Sequence, residues 1–545
     1  MPHVLPPGFS EASLRSVLAE LALELGDGWV DAPDEPSPDH LDPFALGDPL
    51  RFAPSAVVRP GSVEEIQAVL RIANAHRLPL WTVSRGRNLG YGGTAPRVRG
   101  SVVVELSRMN RVLEVNEDLG YALLEPGVSF FDLYEHLRAN GHRLWMSAPG
   151  LGWGSVVGNA LERGFGQAPY GEHSAAICGL EVVMADGDLV RTGMGSIGDG
   201  RAWHVYKGGY GPSLDGLFLQ SNYGIVTKMG LWLMPEPECF RACEITFARD
   251  EDFVPMIETL RPLKVGETIT GSARAANAVR VAQGTTQRSR WSADPGPLTR
   301  PAIQEMVDEL GIGWWNLRFG LFGPEAVVEA RYRMVQDAFG RIPGAQITSR
   351  RYAGDVTEAE IEPVDRPQAG IPSMMSYAIL DWLDGETGHV GFSPLSPLRG
   401  EDAVHQVQMV RSRALEHGFD YSAGLTCGTR FLNHIFMILF DPTDAEATGR
   451  ARRLFEVLVR EGAASGYGEY RTHLEFMDLV AEQYDFHGGS QRRLNETIKD
   501  ALDPNGILSP GKQGIWPRSG DYATTSMPMR SSSVASSGRS TSSTA

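Results

Sequence analysis

The chain has 545 residues, with 50 Lys and Arg against 67 Asp and Glu, a formal charge of -17. At 42% hydrophobic and 21% charged it carries apolar material for a large core and roughly two or three domains, which excludes disorder throughout. An acidic balance without a Lys/Arg-rich face argues against a nucleic-acid partner, since phosphate backbones are gripped by clustered cations. From Arg59 onward the pattern is readable: Ser62 with Glu65 three residues on predicts a capping box and an amphipathic helix through residue 75. Residues 78–83 read as a short strand running into a glycine-rich loop, 84–93. Short strands follow at 101–106, 111–115 and 121–124, then a helix over 130–139 capped by Ser129 with Asp132. A second glycine-rich tract at 149–159 precedes strands at 180–185 and 224–234, and Pro235-Glu236-Pro237-Glu238 reads as a boundary. Beyond it lies a second, mixed region to about residue 466, with a strand at 435–440 and a helix at 445–462. Residues 503–512 read as a turn-rich strand return, and the Ser/Thr-rich tail from 519 as disordered.

The four cysteines, Cys178, Cys239, Cys243 and Cys427, form no CxxC pair and no disulfide framework, which suits a reduced, cytoplasmic setting. The amino terminus lacks a cationic region followed by an apolar run, so no signal peptide is expected. No stretch reaches the roughly 18 apolar residues of a membrane span. His389, His434 and His473 are scattered without an HExxH or CxxC companion, so no metal site is expected.

Glycine lets backbone approach a ligand, and successive N–H groups in such a loop form a concavity for anions. A lone glycine loop is as readily a tight turn, but two in the first third favour a bound pyrophosphate. Neither is the strand-GxGxxG-helix unit of a dinucleotide fold or a GxxxxGK[ST] loop, and no GxSxG elbow occurs. Nicotinamide dehydrogenases, P-loop nucleotidases and α/β-hydrolases lose ground together.

Ordered motifs then narrow the field: Gly90-Tyr91-Gly92-Gly93, Leu123-Leu124-Glu125-Pro126-Gly127-Val128, Gly154-Ser155-Val156-Val157-Gly158-Asn159 and Arg191-Thr192-Gly193-Met194-Gly195. The tract 220–228, then Gly388-His389-Val390-Gly391-Phe392-Ser393-Pro394, Gly468-Glu469-Tyr470-Arg471-Thr472-His473 and residues 503–512 complete the series. Together they resemble the vanillyl-alcohol oxidase family of flavoproteins, most of all its eugenol oxidase branch, over about residues 45–517.

That resemblance implies an α+β, two-domain flavoprotein: a p-cresol methylhydroxylase-type FAD-binding domain split in sequence (1–240 and 467–518) around a cap domain (241–466) with a large antiparallel sheet. It implies FAD held by Ser84, Arg85, Gly86, Arg87, Asn88, Leu89 and Gly92 of the first loop and by Pro149, Gly150, Gly154, Ser155, Gly158, Asn159 and Glu162 of the second. Gly224, Ile225, Val226, Arg471 and Lys512 would complete the cofactor site, with His389 joined covalently to the flavin. Tyr91, Tyr470 and Arg471 match the family's phenolate-binding trio, and Gln167 and Phe392 would border the substrate. A phenolate para to a benzylic C–H pushes electrons through the ring, so that hydride leaves to the flavin and a para-quinone methide remains; donors that stabilise the oxyanion lower that barrier.

The chain departs from the family pattern in three places. Gly150 stands where relatives carry an aspartate near the flavin's hydride-accepting nitrogen. The tracts 166–173 and 207–212 have lost aromatic residues, which suggests a roomier or more polar substrate site, suited to bulkier phenols. A family arginine that offsets charge on the reduced flavin is matched only by Arg366, displaced by two positions. The implied function is an FAD-dependent para-substituted phenol oxidase that uses dioxygen and makes hydrogen peroxide, as a homodimer. Two alternatives stand beside it: a dehydrogenase that passes electrons to a protein acceptor, and a flavin-binding protein with little turnover.

Overall fold

The computed structural model describes residues 4–519 and Tyr522; the Ser/Thr-rich tail read from the sequence lies almost wholly outside the described residues. Ser62 caps the helix Val63–His76 by accepting from the Glu65 backbone N–H at 3.2 Å. The Glu65 carboxylate accepts from Gly61 at 2.7 Å instead of from Ser62, so the box closes one residue early. Ser129 and Asp132 form a full reciprocal box at the start of Phe130–Ala139, as expected. The helix Glu11–Leu25, capped by Ser10, was not anticipated.

The chain up to Trp232 builds two main sheets. One has four strands in the order Val30–Asp31, Ala56–Val58, Val102–Glu105, Leu80–Val83, the last three parallel. The other is antiparallel, in the order Val112–Asn116, Tyr121–Leu124, Gly224–Trp232, Ile177–Met184, Leu189–Arg191. The chain then enters an eight-stranded antiparallel sheet. Its path runs Gln346–Ala353, Cys239–Phe247, Trp315–Gly323, Ala273–Asn277, Ala423–Cys427, Phe431–Phe440 and Gly388–Phe392, with Leu395–Pro397 also paired to Phe431–Phe440.

Helices Phe253–Val265, Glu325–Phe339, Gly400–Glu416 and Ala445–Ala464 send apolar residues into the large core shared with this sheet. The end of the chain returns to the first sheet: Leu508 bridges Leu80 in parallel, beside the strand that feeds the first glycine loop. This is the α+β flavoprotein architecture expected from the motifs, with a large antiparallel sheet between the two ends of the chain. Among the described residues no helix is long and apolar enough to cross a membrane.

Candidate active site

The strand Leu80–Val83 delivers the first glycine loop to the mouth of a cavity of about 540 Å³. Within that loop the Asn88 side-chain oxygen accepts from Tyr91 N (3.2 Å) and Gly93 N (3.1 Å), which folds the tract back on itself. Two glycines there are obligatory. Gly90 (φ 80°) lies against His389, whose Nδ1 would be 2.2 Å from an added Cβ, and Gly92 (φ 95°) would meet Leu474 at 1.7 Å. In the second loop the Ser155 hydroxyl donates to the Pro126 carbonyl (2.6 Å) and accepts from Gly158 N (2.9 Å).

One wall of the cavity comes from these loops: Ser84, Arg85, Gly86, Arg87, Asn88, Leu89 and Tyr91, then Pro149, Gly150, Gly154, Ser155, Gly158, Asn159 and Glu162. Gln167, Gly224, Ile225, Val226, Arg471 and Lys512 join them, so most of the residues singled out from sequence meet at one place. Gly92, His389 and Tyr470 do not line it. His389 is buried behind Gly90, edge-on to Phe44 at 5.9 Å, and Tyr470 packs on Phe165 at 5.7 Å.

Phe392 corrects the sequence reading. On Gly388–Phe392, alternate residues face opposite sides. An added Cβ on Gly391 would lie 3.6 Å from the His389 ring, so Gly391 and His389 share a side, and Phe392 points away into the core against Phe455. Arg366 is also elsewhere: it pairs with Glu358 at 2.6 Å and does not line the cavity. A Cβ on Gly150 would fall 2.2 Å from the Ser376 hydroxyl, which already fills that space, and Tyr210 of the 207–212 tract is fully exposed at the surface.

Charge in the cavity is arranged in opposed groups. The Arg471 guanidinium sits 4.1 Å from the centre of the Tyr91 ring, a cation–π contact. Burial works against its charge, but Tyr91, Tyr470 and Glu162 together hold it above the usual arginine value. Burial pushes the Tyr91 hydroxyl up, partly offset by Arg471. Burial would raise the Glu162 carboxyl too, yet Lys512 at 2.7 Å and the nearby Arg471 hold it low. Gln513 donates to its other oxygen at 3.1 Å. The His389 imidazole is pushed down to about 3 by burial, Arg280 and His473, and both its nitrogens are buried without a hydrogen-bond partner. It is therefore neutral, with a free lone pair. Beside it His473 lies 2.8 Å from Asp42, both buried.

Sequence reasoning missed two arginines. Arg274, on the strand Ala273–Asn277 of the eight-stranded sheet, and Arg280, on the short helix Ala278–Ala282 that follows it, line the same cavity. A signal was present: between Glu267 and Asp294 there is no acidic residue, so neither arginine has a local partner.

FAD combines a diphosphate, which needs backbone donors and cations, with a flat ring, which needs apolar walls. The glycine loops and Lys512 meet the first need, while Ile225, Val226, Leu425, Ile435 and Met437 meet the second. The residues present fit the cofactor, with the two walls coming from different sheets.

Comparison with known proteins gives the same reading. Residues 54–193 match the FAD binding domain family and residues 319–513 the C-terminal domain of FAD linked oxidases. The chain is 36% identical over 515 residues to the 4-cresol dehydrogenase [hydroxylating] flavoprotein subunit of Pseudomonas putida, covering 94% of this chain and 98% of that protein. Its structure is similar to that of 4-ethylphenol oxidase from Gulosibacter chungangensis, with a TM-score of 0.90, 41% identity, and 94% and 99% of the two chains covered. It is similar as well to substrate-bound p-cresol methylhydroxylase, with a TM-score of 0.89, 35% identity and the same coverage.

Proposed function

The chain belongs to the vanillyl-alcohol oxidase and p-cresol methylhydroxylase family of FAD-linked oxidoreductases, and from that membership we propose that it oxidises para-substituted phenols at the benzylic carbon. The observation that carries this reading is Arg471 held over Tyr91 in a cavity lined by both glycine loops. Arg471 and Tyr91 on the cavity lining, with Tyr470 hydrogen-bonded to Arg471 just behind it, are the clamp: a cation and two hydroxyls that favour the ionised phenol oxygen. With that oxygen held as phenolate, a hydride can leave the benzylic carbon, and the resulting quinone methide takes up water or loses a proton. Bound FAD supplies the two-electron acceptor. His389 is the residue assigned to carry it covalently, in keeping with a neutral imidazole whose nitrogens are otherwise unused. Residues 1–240 and 467–518 are assigned to the FAD-binding domain and 241–466 to the cap, and the working unit is taken as a homodimer.

Dioxygen is the acceptor we favour, with hydrogen peroxide as the product. The histidine at 389 follows the oxidase pattern, and a relative at 41% identity is named an oxidase. A protein acceptor is the second reading, favoured by the relative named a dehydrogenase. Anaerobic titration of the holoprotein with 4-ethylphenol and vanillyl alcohol, followed by air, tests both. Bleaching of the flavin with rapid recovery and peroxide supports the oxidase. Recovery only with an artificial acceptor supports the dehydrogenase, and no bleaching removes the phenol assignment.

A further inference from the structure

Arg274 and Arg280 are two guanidinium groups on one wall of the active-site cavity, and among the described residues neither has a carboxylate within ion-pair distance. Arg274 donates to the Thr426 hydroxyl, while its Nε is buried without an acceptor. Arg280 leaves Nη1 buried and unpaired. The acidic group in the cavity lining, Glu162, is already engaged by Lys512 and Gln513. Two buried cations without a counter-anion are costly, and the cost is recovered when an anion enters between them.

Where that anion comes from follows from the layout of the cavity. The diphosphate cradle lies on the glycine loops of the first third, whereas Arg274 comes from a strand of the eight-stranded sheet and Arg280 from the short helix that follows it. The phenol oxygen already has its clamp at Arg471. What remains for the arginine pair is the para substituent. We propose that Arg274 and Arg280 form a carboxylate-binding subsite, so that this enzyme takes 4-hydroxyphenyl acids, with a carboxylate on the para side chain. This rests on the phenol-oxidising reading and narrows its substrate class. A planar guanidinium matches a carboxylate through parallel N–H···O bonds, which an uncharged amide of the same shape cannot reproduce.

Burial lowers the charge tendency of both groups, Arg280 to about 10 with Arg274 adding to the effect, so both remain cations at neutral pH and available to an anion. For 4-hydroxyphenylacetate the reaction balances as follows. The benzylic C–H breaks with both electrons leaving to the flavin as hydride, and the phenolic proton is lost. Water then forms the new C–O bond at the benzylic carbon, and its second proton returns to the ring oxygen as the ring regains aromaticity, giving 4-hydroxymandelate; the net loss from the substrate is one hydride and one proton.

The test compares acid with amide on the holoenzyme. Calorimetry with 4-hydroxybenzoate and 4-hydroxybenzamide, which have no benzylic hydrogen, reads binding without turnover. Steady-state kinetics with 4-hydroxyphenylacetate and its amide reads kcat/KM. The acid should be favoured about tenfold or more in both, and the acid-to-amide ratio should fall by a similar factor in Arg280→Gln. The wild-type ratio needs no variant, so it decides the matter even if the variant fails to fold. Equal binding of acid and amide by the wild type would overturn the subsite. So would equal losses for both in Arg280→Gln, which would place the arginine at the flavin instead. If 4-ethylphenol reduces the flavin while the acid shows no preference, only this inference falls; if no phenol reduces it, the parent reading falls as well.

Discussion

Arg471 lies over the Tyr91 ring face at 4.1 Å, a contact that fixes the position of its guanidinium in the cavity. Arg471→Ala should slow anaerobic flavin reduction by 4-ethylphenol about 10²-fold or more, with the yellow holoprotein intact. Arg471→Lys should restore only part of that, because a point charge lacks the fork. Stopped-flow bleaching measures both, and an unchanged rate in the alanine variant would remove Arg471 from the clamp. A different residue, Lys264, carries a stability prediction. It is buried, donates to the Gly271 carbonyl and has no carboxylate partner among the described residues, and burial pushes it down to about 8 despite Cys427 and Glu172. Between about pH 8 and its ordinary value of 10.5 the unfolded chain binds a proton that the native chain has released, so stability rises with pH across that window. At pH 7 the native ammonium is charged at a cost. Lys264→Met should therefore be about 1–3 kcal/mol more stable than the wild type at pH 7, a gain that shrinks by pH 10. Urea unfolding at the two pH values checks this, and a loss at pH 7 would show that the carbonyl bond matters more than the buried charge.

At the scale of elements, the returning end of the chain closes the cofactor wall. Lys499 Nζ lies 2.7 Å from Asp503, 2.7 Å from the Asn222 carbonyl and 2.7 Å from the Leu508 carbonyl, with both charged side chains buried. Asp503 in turn accepts from Ile507 N at 3.1 Å and Leu508 N at 2.9 Å. This network holds Leu508 and Ser509 against Leu80, and both residues line the cavity. Lys499→Met leaves a buried carboxylate unpaired and should cost about 3–5 kcal/mol. Flavin content per protein should drop with it; a variant that keeps a full flavin complement would uncouple the return from the cofactor site. The sequence made such local devices legible. The Ser129 capping box, the strand Tyr121–Leu124 and the helix beginning at Ala445 are written in neighbouring residues, and they stand where the sequence put them. Other features depend on pairing across long stretches of chain. Arg274 is set opposite Thr426 by strand pairing, Phe392 turns inward with the alternation of its strand, and Ser376 arrives from the far side to fill the space at Gly150. No local spacing encodes these. The helix Glu11–Leu25 escaped notice because exposed Leu23 blurs its apolar stripe of Leu14, Val17, Leu21 and Leu25.

For the molecule as a whole, acid response depends on buried groups of opposite sense. Burial holds His434 down at about 3, with Arg411 adding to the effect, and His173 at about 4, with Arg274 and Arg471 adding to it, against an ordinary 6.5. Between those values and 6.5 the unfolded chain binds protons that the native chain refuses, so their contribution is complete above 6.5 and is lost as pH falls. Glu469 acts in the opposite direction. Buried, with one oxygen accepting from Ser393 N at 2.7 Å and the other unpartnered, it is raised well above 4.5 by desolvation. Its native form keeps a proton that the unfolded chain releases, so its contribution is complete below 4.5 and is lost as pH rises. Over about pH 5 to 6 each such group changes the slope of stability against pH by about 1.4 kcal/mol per unit, positive for a histidine and negative for the glutamate. His434→Gln keeps a partner for the Tyr421 hydroxyl, which lies 3.1 Å from Nε2, and should flatten the wild-type slope by that amount. Glu469→Gln keeps an acceptor for Ser393 and should steepen it by the same amount. Urea midpoints followed by tryptophan fluorescence at several pH values separate the two, because the variants must move the slope in opposite directions. If both moved it the same way, at least one of these groups would not hold the charge state that its burial dictates.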